Sequence, residues 1–182
     1  DLYVNLGLVP EAISAYESIG DDVEELGQAR LIGYTRSLIS EGKLGEAKDI
    51  LEKLPMASIW NQVRARHFAE AELATAENNW ATGRQAYQAV LETEPLNAFA
   101  LLGLGQALRE SGEPDRAVFV FESALQVSES ERRACLELAN LALADRRFDT
   151  AIGYLNRADR LEPSSAVRSQ IARLQSLARN AL

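Results

Sequence analysis

The chain has one cysteine, one histidine, one methionine and five prolines among its 182 residues. Each scarcity excludes something. A lone Cys135 permits no internal disulfide framework and no multi-cysteine metal site. His67 has no second imidazole to share a metal or a proton relay with. No apolar run approaches the roughly 18–20 residues that span a bilayer. Basic residues are outnumbered, 19 Lys and Arg against 27 Asp and Glu, for a formal net charge of −8. That balance argues against nucleic-acid phosphate and against docking on anionic lipid, both of which need clustered cations. There is also no initiating methionine and no basic stretch leading into an apolar one, so no signal peptide is visible. The chain starts inside what reads as half a repeat, and the expectation is a segment of a longer protein. A chain without disulfides fits the cytoplasm and a periplasmic helical array equally, so the compartment stays open.

Nearly half the residues are hydrophobic and a quarter are charged, the composition of a folded chain. Small residues recur at Ala12, Ala47, Gly83, Ala117 and Ala151, with gaps of 35, 36, 34 and 34 residues. An apolar or aromatic residue follows each by four positions: Tyr16, Leu51, Tyr87, Phe121 and Leu155. A period of about 34 with this internal pattern predicts stacked helical hairpins. The stretch 98–131 shows the unit most clearly. Leu101, Leu104, Gly105 and Leu108 form a stripe of helical period, and Gly112 ends that helix where a positive φ is wanted. Pro114 then suits the first turn of a second helix carrying Ala117, Phe121, Ala124 and Leu125 on one face. Gly105 and Ala117 are small because two helix axes approach closely there.

The order of small–apolar stripe, Gly112, Ala117, Phe121 and Ala124 resembles a tetratricopeptide repeat (TPR). The next unit fits with Leu138, Ala139, Ala142, Phe148, Ala151, Leu155, Ala158 and Pro163, departing at Arg146 where the turn glycine stands and at Cys135 where a tryptophan is common. Upstream, Ala71, Ala74, Trp80, Gly83, Tyr87, Val90 and Pro95 supply another unit, which departs at Glu70. Leu31, Leu38, Gly42, Leu44, Ala47, Leu51 and Leu54 supply one more, whose second helix Pro55 cuts short, with two residues inserted before the next. The resemblance implies an all-α fold, a right-handed α-solenoid of antiparallel helix pairs. The expected organisation is half a repeat and linker over 1–27, units over 28–61, 62–97, 98–131 and 132–165, and a capping helix over 166–182, with Ser164 as its N-cap and Val167, Ile171, Leu174 and Leu177 as its buried stripe.

Catalytic chemistry finds no constellation. His67 and Cys135 fall on packing positions of their units, as a hydrogen-bonded half-buried imidazole and a small hydrophobe. Gly103-Leu104-Gly105 lies within a helix, follows no strand and lacks the third glycine of a phosphate loop. The acidic pairs Asp21-Asp22 and Glu24-Glu25 suit a helix N-terminus and lack calcium-ligand spacing. The chain reads as a non-enzyme without cofactor or metal.

The resemblance implies instead a concave wall built by the first helix of each unit. Its inward positions yield the candidate site: Ile32, Arg36, Phe68, Glu72, Phe99, Leu102, Gln106, Arg109, Arg133, Leu136 and Asn140. Ile32, Phe68, Leu102 and Leu136 draw an apolar stripe edged by Arg36, Glu72, Arg109 and Arg133. The expected partner is a helix or peptide of another protein, gripped by that stripe. One subclass is excluded. Co-chaperone repeats that hold acidic chaperone tails use a Lys–Asn clamp, and its slots here hold apolar residues, Gly33, Ala69 and Glu137. The leading expectation is an interaction scaffold within a larger bacterial protein. The alternatives are a periplasmic segment of an envelope-assembly or exopolysaccharide-export machine, and the regulatory arm of an enzyme whose catalytic domain lies elsewhere. The uncapped N-terminal half-repeat also offers a surface for self-association.

Overall fold

Four turns of near-identical geometry punctuate the computed structural model, and they explain the period. The structure describes residues 8, 11, 14, 15, 21–54 and 60–180, so Gly7, Pro10, Ala12, Tyr16 and Ile19 of the expected half-repeat, and Pro55, lie outside the described residues. Among the described residues there are nine helices and no strand. In chain order they are α1 (Asp21–Ser40), α2 (Leu44–Lys53), α3 (Trp60–Ala76), α4 (Trp80–Leu91), α5 (Ala98–Glu110), α6 (Pro114–Ala124), α7 (Ser128–Ala144), α8 (Phe148–Leu161) and α9 (Ser165–Asn180). The helices α1, α3, α5 and α7 each end in a residue with positive φ: Gly42 and Gly112 at 77°, Asn78 and Arg146 at 57°. At each, the next amide reaches back to a carbonyl five residues earlier, as from Lys43 to Leu38 (2.9 Å), Asn79 to Ala74 (2.7 Å), Glu113 to Leu108 (2.9 Å) and Arg147 to Ala142 (2.8 Å). This Schellman arrangement satisfies the last carbonyls of one helix and turns the chain into the next within three residues. Arg146 thus performs the turn without a glycine.

The chain divides into two compact units, 1–90 and 91–182. In the first, α1 packs against α2 and α3. Leu31, Leu38, Ala47, Ile50, Leu51 and Leu73 form its core with Ala69. Fully buried Ala47 on α2 and Ala69 on α3 let these helices approach α1 closely. Thr35 is fully buried, and its hydroxyl donates to the Leu31 carbonyl one turn back (2.8 Å). The α3–α4 hairpin closes through Gly83 against Ala74 and Thr75, while the hydroxyls of Tyr87 and Thr75 lie 3.3 Å apart.

In the second unit, α5 packs on α6 and α7, α7 on α8, and α8 on α9. Phe121 is fully buried, and a Cβ on Gly105 would stand 2.4 Å from its ring. The ring lies where a side chain on α5 would be, so only glycine fits. The α8–α9 end closes over Ala151, Leu155, Val167, Ile171 and Leu174. Leu177 departs from the expected buried stripe of α9, being 49% exposed. Asp159 fixes the α8–α9 corner by accepting from the Ser164 amide (2.7 Å) and from Arg168 Nε (2.9 Å). Those two bonds hold the Asp159 carboxyl below its ordinary range.

Candidate interaction surface

In unit 1 the expected wall positions sit on α1 and α3. Ile32 is a correction. It is 4% exposed, inside the core with Ala69 and with Ala65 packed alongside, so it lines no open wall. The small alanines of α3 bring that helix close enough to cover it. Phe68 is half-buried. Arg36 and Glu72 pair with each other, Nε to Oε2 and Nη2 to Oε1, both at 2.7 Å. This two-pronged bond ties α1 to α3 and keeps the Arg36 guanidinium charged still more firmly. The pair expected to steer a partner is internally matched.

Unit 2 carries the more open wall. Phe99 on α5 is 43% exposed, and Leu102 on α5 and Leu136 on α7 are half-buried. Gln106 is half-buried and Asn140 exposed. Arg109 forks between Glu137 on α7 and its neighbour Glu110 (Nη2 to Oε1, 2.7 Å), a second internal tie between consecutive first helices. Arg133 is exposed and has no ion-pair partner among the described residues, so it is the wall cation that faces solvent.

An open cleft of about 710 Å³ adjoins this wall, lined by Glu94, Leu96, Asn97, Phe99, Val127 and Glu129. Leu96 is 58% exposed in the loop before α5. It was absent from the expected site, because a lone leucine after Pro95 in an inter-helix loop belongs to no periodic stripe. Unit 1 has its own cleft of about 510 Å³, lined by residues such as Lys48, Glu52, His67, Glu70 and Gln85. His67 Nδ1 lies 3.2 Å from Glu70 Oε2 there, and the same Glu70 accepts from Arg66 Nε (2.8 Å). Cys135 is fully buried on α7, and burial pushes its thiol up, away from the reactive thiolate. Among the described residues no cluster of His, Cys, Asp and Glu is arranged to hold a metal.

Repeated hairpins with Schellman turns, a small residue at the close approach and a bulky one filling the space behind it identify the fold. Two family profiles, both described as tetratricopeptide repeat, match residues 68–126 and 108–174, together more than half of the chain. The chain belongs to the tetratricopeptide repeat family. Solved TPR-type structures share the fold. The structure titled "Functional Characterization of Pseudomonas Aeruginosa pilF" is similar with a TM-score of 0.70 at 21% identity, over 84% of this chain and 69% of that one. A TPR protein of Thermus thermophilus is similar with a TM-score of 0.64 at 17% identity, over 94% and 96%. MamA is similar with a TM-score of 0.67 at 19% identity, over 91% and 95%. No curated protein sequence matches the chain. TPR repeats generally mediate protein–protein interaction. No helix among the described residues is long and apolar enough to cross a membrane.

Proposed function

We propose that this TPR chain is a non-catalytic scaffold whose α5–α7 wall holds a helix or peptide of a partner protein. The observation that carries the reading is the trio Phe99, Leu102 and Leu136, partly open on two consecutive first helices. Apolar side chains left open in a row are the anchor points that a partner helix fills. Gln106 and Asn140 offer hydrogen-bonding groups along the same wall, and Arg133 a charge for orientation. Arg36, Glu72 and Arg109, matched within the chain, serve the wall's shape. Within unit 1, Phe68 on α3 is a half-buried apolar residue and a separate candidate anchor.

The test uses the double variant Leu102→Glu, Leu136→Glu. Two charges on the wall abolish partner capture in a pull-down while the helical circular dichroism and melting midpoint stay near wild type. A variant that unfolds instead would make both leucines core residues and defeat the reading.

A further inference from the structure

The cleft beside the α5–α7 wall is lined by apolar and acidic side chains. Leu96 and Phe99 are both exposed large hydrophobic residues, and Val127 lines the cleft with them. Glu94 and Glu129 are the charged residues lining it, and no Lys or Arg does so. Of the two helix N-termini that meet there, α5 is capped by a side chain and α7 is not. Asn97 Oδ1 accepts from the Ala100 amide at the start of α5 (3.0 Å), and its Nδ2 donates to Glu94 Oε2 (2.7 Å). The first turn of α7 carries Glu129 and Glu131, which complement its dipole, and Glu131 is bonded to Arg157 (2.8 Å). The acidic side chains at the start of α7 disfavour an anion there.

From this geometry we infer that the cleft takes a basic, amphipathic segment of the partner, an apolar side chain entering between Leu96 and Phe99 and a lysine or arginine standing against Glu94 and Glu129. The charge balance selects this occupant. The chain is acidic overall, at −8, so a second copy meets like charge at the cleft and a cationic segment is drawn to it. The sign then changes along α7. Arg133 follows Glu129 by one turn, about 6 Å along the helix axis. A bound segment therefore places its positive part at the cleft and enters the wall in one direction. The inference deepens the scaffold reading and rests on it.

The experiment measures fluorescence anisotropy of two labelled amphipathic peptides, one of leucine and lysine and one of leucine and glutamate, with the full chain. The lysine peptide binds, weakening as salt rises, and the glutamate peptide binds at least about tenfold more weakly, which is ~1.4 kcal/mol. Leu96→Ser with Glu129→Gln weakens the lysine peptide about tenfold. Glu122→Gln with Asp149→Gln, at exposed sites on α6 and α8, leaves it unchanged although two charges are removed. Equal binding of the two peptides, binding of neither, no effect of the cleft variant, or equal damage from the remote variant each overturns the cleft. Leu136→Glu separates the two readings. If it leaves the lysine peptide bound while the cleft variant releases it, the peptide uses the cleft without the wall, and the wall reading and the direction of entry built on it are overturned. If Leu136→Glu alone releases it, the wall stands and the cleft is overturned.

Discussion

In unit 2 a serine closes the joint between consecutive hairpins, and in unit 1 an arginine does. Ser130, fully buried in the first turn of α7, donates to the carbonyl of Ala124 at the end of α6 (2.8 Å) and to that of Val127, the N-cap of α7 (3.2 Å). Arg66, in the second turn of α3, donates to the carbonyls of Leu51 (3.0 Å) and Leu54 (2.9 Å) at the end of α2. Each side chain reaches back to a carbonyl left open at the end of the preceding second helix. The difference in reach follows the spacing. The regular 34-residue register of unit 2 brings the next helix within range of a hydroxyl, while the gap of 36 residues in unit 1 leaves a span that a guanidinium must cross. A repeat pattern thus specifies that a joint is satisfied, and local spacing specifies by what.

The largest test of the contrast is Phe121→Ala. Emptying a fully buried aromatic costs about 3–5 kcal/mol. Residue-resolved hydrogen exchange will show protection lost across α5 to α8. Equal loss across α1 to α3 would mean that the units open together, and the two-unit division would carry no energetic meaning. Next is a pair of glycines. Gly105→Ala drives a methyl into the Phe121 ring and costs about 1–3 kcal/mol. Gly83→Ala meets Ala74 Cβ at an ordinary 3.7 Å and, by helix propensity, stabilises by up to about 1 kcal/mol. Urea denaturation of the two variants reads opposite signs, and matching signs would refute the difference in packing.

The two joints come next. Ser130→Ala and Arg66→Met each remove bonds to helix-end carbonyls, at a cost of about 1–1.5 kcal/mol. Arg66→Lys separates shape from charge, since a single ammonium cannot serve both carbonyls and Glu70 in the arginine geometry. It is expected to recover less than half of the loss in thermal unfolding.

What the sequence disclosed follows the range of each interaction. The stripe residues, Gly112, Ala117 and Phe121 are read from spacing within one hairpin, and the structure places them as the repeat requires. The ties between repeats were not legible. Arg36 and Glu72 are 36 residues apart, and nothing in either position announces that they bond to each other. Ile32 holds a wall position by register, yet the alanines of α3 bury it, a consequence of interhelical distance that register does not encode. Leu96 lies in a loop, where periodicity has no purchase.

The α8–α9 corner is predicted to respond to acid. Because the bonds from the Ser164 amide and Arg168 depress the folded pKa of Asp159, its stabilising contribution is fully present above the ordinary carboxylate pKa and is lost as pH falls through the depressed value. Amide exchange near Ser164 and along the first turn of α9 should rise in that acidic window, ahead of the α7–α8 hairpin. In Asp159→Asn the corner is loosened already at neutral pH and this acid response disappears. An unchanged acid profile in the variant would show that other carboxylates govern the end of the unit.

The smallest expected effects lie at the turns, where the two units again differ. Each uses one glycine and one residue with a side chain at positive φ: Gly42 with Asn78, and Gly112 with Arg146. Asparagine visits the left-handed region at little cost, whereas an arginine there brings its Cβ too near the following carbonyl oxygen. Arg146→Gly relieves that strain and returns part of the gain as entropy of the unfolded chain, for a net stabilisation of about 0.5 kcal/mol. Asn78→Gly gains nothing or loses a few tenths of a kcal/mol. Arg147 still bonds Asp145 beside the altered turn (3.0 Å), so the local surface charge that remains is the same pair in both chains. Paired urea titrations resolve the two midpoints. If Arg146→Gly destabilises, the arginine makes a contact in the turn that outweighs its backbone strain, and the departure from glycine in unit 2 is then a stabilising choice.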